Sequence, residues 1–195
     1  MPAESDRWLD LLVQANTLKT TPRTGWHQRW VARPEDVAAH SWGTALVALV
    51  LAEMTEAMAT RPAARPLDRG RLLSMAILHD LAEAEIGDIP RPATRYLPAA
   101  VKHTAEAAAL AAMLAGLPFA GNWTQLMADY EHEADLEAQL VRDADRLEFL
   151  LQAWVYRRST GNELLDDIRE DYAERRLATP AAQALLEALL RRWSA

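Results

Sequence analysis

Along most of the chain apolar residues recur three and four positions apart, and alternation of period two is not sustained over any useful length. That is the pattern of helices with one buried face, and it predicts an all-α fold. A first helix is expected from about Ser5 to Lys19, with Ser5 or Asp6 as its N-cap, followed by a long loop, "TTPRTGWHQRWVARPED". Pro34, Glu35 and Asp36 suit the start of a second helix, which carries "VAAHSWGTALVALVLAEMTEAM" and breaks at "TRPAARP". The next is expected to open near Leu67 and Asp68 and to run through His79 and Asp80 to about Ile86, where Gly87 stops it and Pro90 and Pro92 prevent its resumption. Further helices are expected near residues 98–114, 122–132, 135–158, 164–177 and 180–193.

Composition narrows this picture. A chain of 195 residues has the length of one ordinary domain, here a single helical bundle over residues 1–195. The C-terminal helices at about 164–193 are expected to pack on the bundle or on a second subunit. With 21 Lys and Arg against 28 Asp and Glu, the formal net charge is −7, so no overall positive field attracts a nucleic-acid polymer or an anionic membrane. The absence of cysteine excludes disulfides, thiolate zinc sites and Cys nucleophiles. No signal pattern opens the chain, and its longest apolar run, "ALVALVLA", is short for a bilayer, so a soluble cytoplasmic protein is expected.

The chemistry appears where polar residues interrupt apolar faces. Glu83 would stack one helical turn beyond His79 and Asp80, whose neighbours at helical spacing, Met75, Ala76, Ile77 and Ala82, are apolar. Asp145 sits in a stripe with Val141 and Phe149, and His40 lies among Val37, Gly43 and Val47. Taken singly, His40 reads as an ordinary core histidine, and Asp145 as a partner for Arg142 or Arg146. Together, two imidazoles and two carboxylates on apolar-striped helices match the N and O donor set of one divalent transition metal ion: Mn, Fe, Co, Ni or Zn. His27, His103 and His132 stand in polar contexts and read as surface residues. The loop that places Arg23, Arg29 and Arg33 among Trp26 and Trp30 suits a mononucleotide better than single-stranded nucleic acid, given the acidic chain.

The order His40, His79-Asp80, Asp145 resembles the H…HD…D ligand order of HD-domain metal-dependent phosphohydrolases. The segments "PRTGW", "RPEDVAAHS", "ILHDLAEAEIGDIPRP" and "VRDADRLEFLLQA" resemble that superfamily's 5'-deoxynucleotidase branch. The resemblance spans about 9–156, where it places the catalytic core, and implies an HD-domain helical bundle, often a homodimer, that hydrolyses deoxynucleoside 5'-monophosphates to deoxynucleosides and phosphate. It implies metal ligation by His40, His79, Asp80 and Asp145, catalytic roles for Glu83 and Asp88, a phosphate contact from Arg23 and an aromatic near the sugar at Trp26. The family's acidic residue before the first ligand is Ala39 here, which touches a contact behind the ligand rather than the ligand itself. Two other readings stay open: a different nucleotide substrate (a triphosphate, guanosine tetraphosphate or a cyclic nucleotide), and a non-catalytic helical interaction protein with buried ion pairs.

Overall fold

The three-and-four spacing is realised as helices throughout a computed structural model, which describes residues 4–60 and 65–194. Among these the sole extended pairing is an isolated antiparallel bridge between Pro22 and Asp36, so the fold is all-α as expected. Packing divides the described residues into two units, one of residues 4–39 and 78–128, the other of residues 40–60, 65–77 and 129–194.

The first unit begins with α1 (Glu4–Asn16) and a 3-10 turn (Thr17–Lys19). The expected long loop contains a short helix, α2 (Thr24–His27), before α3 (Val37–Met58) begins. After α4 (Arg69–Leu78), the unit resumes with α5 (Glu83–Ile86), a 3-10 turn (Arg91–Arg95), α6 (Ala99–Met113) and most of α7 (Ala120–Glu131). Leu11, Leu18, Trp26, Leu81, Leu110 and Leu114 form its core, where α5 packs on both α1 and α6. Trp8 meets Phe119 edge-on, with ring centroids 4.9 Å apart.

The helix expected to continue to Ile86 stops instead at Leu78. Over the next residues the bonds close three residues apart: Leu81 N to Leu78 O at 2.9 Å, Glu83 N to Asp80 O at 3.0 Å and Ala84 N to Leu81 O at 3.1 Å. Such closure turns the chain about 120° per residue instead of about 100°, so Glu83 falls in line with Asp80, three residues before it, while His79 is turned about 120° away from both.

The second unit holds the body of α3, α4, the long α8 (Leu136–Thr160), α9 (Asp166–Ala173) and α10 (Pro180–Trp193). Asp135 caps α8 by accepting from Ala138 N at 2.9 Å. The C-terminal helices α9 and α10 pack on α8. Their docking is fixed by Asp143, a fully buried carboxylate that accepts from Ala178 N (3.1 Å), Thr179 N (2.8 Å) and Thr179 Oγ1 (2.9 Å). That set meets the requirement that a buried charge be fully hydrogen-bonded. Contrary to the expectation from its apolar run, α3 has the length and composition of a bilayer span. It nevertheless has an inner face, His40, Thr44, Ala48, Leu51 and Ala52, that is buried and polar at one end, and an outer face where Trp42, Leu46 and Val50 are exposed.

Candidate active site

In the first unit the arginine-rich loop is tied down at both ends. Val37 N donates to Thr21 O at 2.9 Å, Arg23 N to Glu35 O at 3.2 Å, and Trp26 Nε1 to Glu35 Oε1 at 2.9 Å. Trp26 has no exposed surface. Its ring is therefore core, and the expected contact with a sugar finds no presented face in this structure.

The tethered loop aims Arg23 at two carboxylates. Arg23 Nη1 donates to Asp80 Oδ2 at 3.2 Å and to Asp88 Oδ1 at 3.1 Å. Asp88 also accepts from Thr24 N at 2.6 Å, while Thr24 Oγ1 donates to the Asp88 carbonyl at 3.0 Å. The chain reaches Asp88 through Gly87, whose φ of +73° lies in the left-handed region open to glycine. Asp88 thus anchors the arginine in place. His79, with a side chain only 2% exposed, brings Nε2 to 3.3 Å from Asp80 Oδ2.

Glu83 completes this group. It is buried, and its Oε2 is without a hydrogen-bond partner among the described residues. Burial first, and then the charges of Asp80 and Asp88, push its carboxyl up to about 9, against the pull of Arg23 and Lys102. Lys102 lies on the inward stripe of α6, paired with Glu106 at 2.9 Å. In the metal-free protein Glu83 is therefore a protonated acid near neutral pH. Glu85 is exposed, as its place on the opposite face implies.

In the second unit the first turn of α3 carries His40, fully buried, with each ring nitrogen facing a different carboxylate of α8. Nδ1 lies 2.5 Å from Glu148 Oε2 and Nε2 lies 3.2 Å from Asp145 Oδ1. Arg142 is instead engaged with Glu131 at 3.2 Å, and Arg146 with Asp143 at 3.5 Å and Glu133 at 3.7 Å. Although burial lowers the pKa of Arg142, the charge of Asp145 helps to raise it, so Asp145 faces both His40 and a neighbouring arginine.

The donor chemistry fits a metal ion. An imidazole donating Nδ1–H to Glu148 has only a lone pair at Nε2, and a lone pair facing a carboxylate oxygen is repulsive unless a proton or a cation lies between them. Each unit holds one such nitrogen and oxygen pair, at 3.2 Å in His40 with Asp145 and 3.3 Å in His79 with Asp80. Two donors about 2.1 Å from a common ion stand about 3.0 to 3.4 Å apart for octahedral or tetrahedral angles. Both pairs fall in that interval.

The structure thus gathers Arg23, His79, Asp80, Glu83 and Asp88 in the first unit, and His40 with Asp145 in the second. Sequence reasoning passed over Glu148, Glu35 and Lys102. Glu148 had a signal, since it stands three residues after Asp145 on the buried stripe of α8.

Comparison with known proteins identifies the family. The HD domain family matches residues 15–186. The 5'-deoxynucleotidase HDDC2 of Xenopus laevis is 33% identical over 150 residues, covering 76% of this chain and 68% of that protein. The crystal structure of a Pyrococcus horikoshii OT3 protein superposes with a TM-score of 0.74 at 37% identity, covering 95% of this chain and 97% of that one. A cyanophage S-2L HD phosphohydrolase, DatZ, bound to dA and one catalytic Zn2+ ion, shares the fold with a TM-score of 0.53 at 18% identity, over 92% of this chain and 94% of its own.

Proposed function

As a chain that belongs to the HD domain family, this protein is, we propose, a metal-dependent 5'-deoxynucleotidase that hydrolyses deoxynucleoside 5'-monophosphates to deoxynucleoside and phosphate. The observation that carries the reading is the pair of histidine and carboxylate couples, His40 with Asp145 and His79 with Asp80, each at the spacing of two donors on one ion. Likeness to proteins named 5'-deoxynucleotidase supports the choice of substrate. One HD domain does this work, with His40, His79, Asp80 and Asp145 as ligands of a single divalent transition metal ion, Co, Mn, Fe, Ni or Zn, in the family's H…HD…D order.

When bound, the ion supplies a Lewis acid that makes water a nucleophile near neutral pH and polarises the phosphoryl group. The rest of the chemistry belongs to side chains. Water oxygen attacks phosphorus, the bond from phosphorus to the 5'-oxygen breaks, and that oxygen takes up a proton. Glu83, a buried carboxyl whose Oε2 has no hydrogen-bond partner among the described residues, shuttles a proton to the leaving 5'-oxygen or from the attacking water. Arg23 binds the phosphate dianion, with the planar fork that suits phosphate oxygens. Asp88 holds Arg23 and the Thr24 backbone in place, and Trp26 fixes the loop from beneath.

The protein works in the cytoplasm on a small nucleotide, with no membrane or nucleic-acid polymer as partner, a reading supported by its acidic charge and by the buried polar end of α3. It acts as a homodimer, for which the exposed outer stripe Trp42, Leu46 and Val50 of α3 offers an apolar surface. Light scattering on the eluting protein tests this, with twice the chain mass expected. The activity is tested by phosphate release from deoxynucleoside and ribonucleoside monophosphates with Co, Mn and Mg. Turnover of the deoxy series that Asp80→Ala abolishes is expected.

A further inference from the structure

His40 has no exposed surface, so its ring is oriented by what its two nitrogens meet. The Nδ1 edge is closed by Glu148, 5% exposed, whose Oε2 lies 2.5 Å away. Donation from Nδ1 keeps the lone pair at Nε2, the tautomer a ligand to metal needs, and stiffens the ring about the direction of that lone pair.

The approach of Glu148 has a steric condition. It crosses the surface of α3 at Gly43, three residues after His40 and on the same face. A Cβ at Gly43 would stand 2.8 Å from Glu148 Oε1 and 2.9 Å from its Cγ, closer than carbon and these atoms can lie. Glycine is among the least favoured residues inside a helix, and α3 continues for many residues beyond it. Its presence here coincides with the one place where a carboxylate must pass against the helix to reach a buried histidine. Asp145 and Glu148, three apart on α8, then hold the two edges of one ring, one facing the ligand side and the other its back.

We propose that Glu148 is a positioning residue that fixes the tautomer and aim of His40 for metal, and that Gly43 is the clearance that lets it do so. The inference rests on the metal site proposed above. Glu148 touches neither substrate nor ion; it acts through His40. Carboxylates behind metal-bound histidines set ligand affinity by about ten- to a hundredfold, which sizes the expected effect.

The test is titration of the metal-stripped full chain with Co2+, followed by visible absorption, for wild type, Glu148→Gln, Gly43→Ala and the double variant. Glu148→Gln keeps the side-chain volume and Gly43→Ala raises helix propensity, so both variants are expected to fold. Each single variant is expected to lose about ten- to a hundredfold in Co2+ affinity. The double variant should lose no more than Glu148→Gln alone, since Gly43 acts only through Glu148. A second readout is the nitrogen NMR signature of His40 in protein loaded with diamagnetic Zn2+: an Nδ1–H held in a hydrogen bond in wild type, shifted or lost to exchange in both single variants. Wild-type affinity in the single variants, losses that add in the double variant, or an unchanged His40 signature would each overturn the proposal while leaving the metal site standing. A wild-type protein that binds no Co2+ would overturn both.

Discussion

His40 Nε2 lies 3.2 Å from Asp145 Oδ1, and the opposite edge of the same buried ring is taken by Glu148, so the histidine faces the carboxylate with the nitrogen that a metal would use. Removing either member should empty the site. His40→Ala and Asp145→Asn are each expected to lower turnover by at least about a hundredfold, because the several kcal/mol of charge stabilisation from the ion are lost with it. Elemental analysis of protein purified without added metal checks this: a transition metal at one per chain in wild type, and a clear deficit in both variants.

Arg23 donates through one nitrogen to two carboxylates and is proposed to meet the substrate phosphate. Hydrogen bonds to charged groups contribute about 1.5 to 3 kcal/mol, so Arg23→Ala is expected to raise KM for a monophosphate by about ten- to a hundredfold. Arg23→Lys should recover only part of the loss, since a point charge does not match the fork. Steady-state kinetics that show an unchanged KM in Arg23→Ala would remove the residue from the phosphate site.

Glu83 makes stability depend on pH in the metal-free protein. Its folded value is raised from 4.5 to about 9, so the unfolded chain releases the proton first as pH rises. The folded state is favoured fully below pH about 4.5, and that advantage drains away up to pH about 9. Glu83→Gln cannot ionise and should flatten the slope. Urea unfolding of metal-free wild type and variant at several pH values between 5 and 9 checks this, and parallel profiles would contradict it.

Asp143 binds two backbone N–H groups and the Thr179 hydroxyl at the start of α10. Asp143→Ala leaves those donors buried and unpaired, and is expected to destabilise the protein by about 2 to 4 kcal/mol. Thr179→Ala removes the N-cap, whose hydroxyl accepts from Ala182 N, and should cost about 1 kcal/mol. Urea midpoints measure both.

Helical periodicity made the elements legible, down to α10, whose expected bounds of 180–193 are those observed, because Thr179 and Pro180 form an unambiguous start. The conflict between polar residues and apolar stripes led to His40, His79, Asp80 and Asp145. What periodicity cannot convey is a change of winding. The tightening after Leu78 follows bonds three residues apart that leave no mark on an apolar pattern, so Glu83 was expected to stack on both His79 and Asp80, whereas the tighter winding lines it up with Asp80 alone. Trp26 was expected as an aromatic near the sugar from its place in "PRTGW", yet Glu35, nine residues later, supplies the acceptor that lets its indole be buried. Glu148 was passed over although it stands three residues after Asp145, because only the structure shows Gly43 opening the space in which its carboxylate reaches His40.

The most direct measurement is phosphate release from deoxynucleoside 5'-monophosphates by metal-loaded protein, set beside Asp80→Ala and Glu83→Gln. Robust turnover by wild type is expected, with none in Asp80→Ala and a loss of about a hundredfold or more in Glu83→Gln, the scale of a lost general acid. Absence of turnover with every deoxynucleoside monophosphate, or full activity in Asp80→Ala, would contradict the assignment.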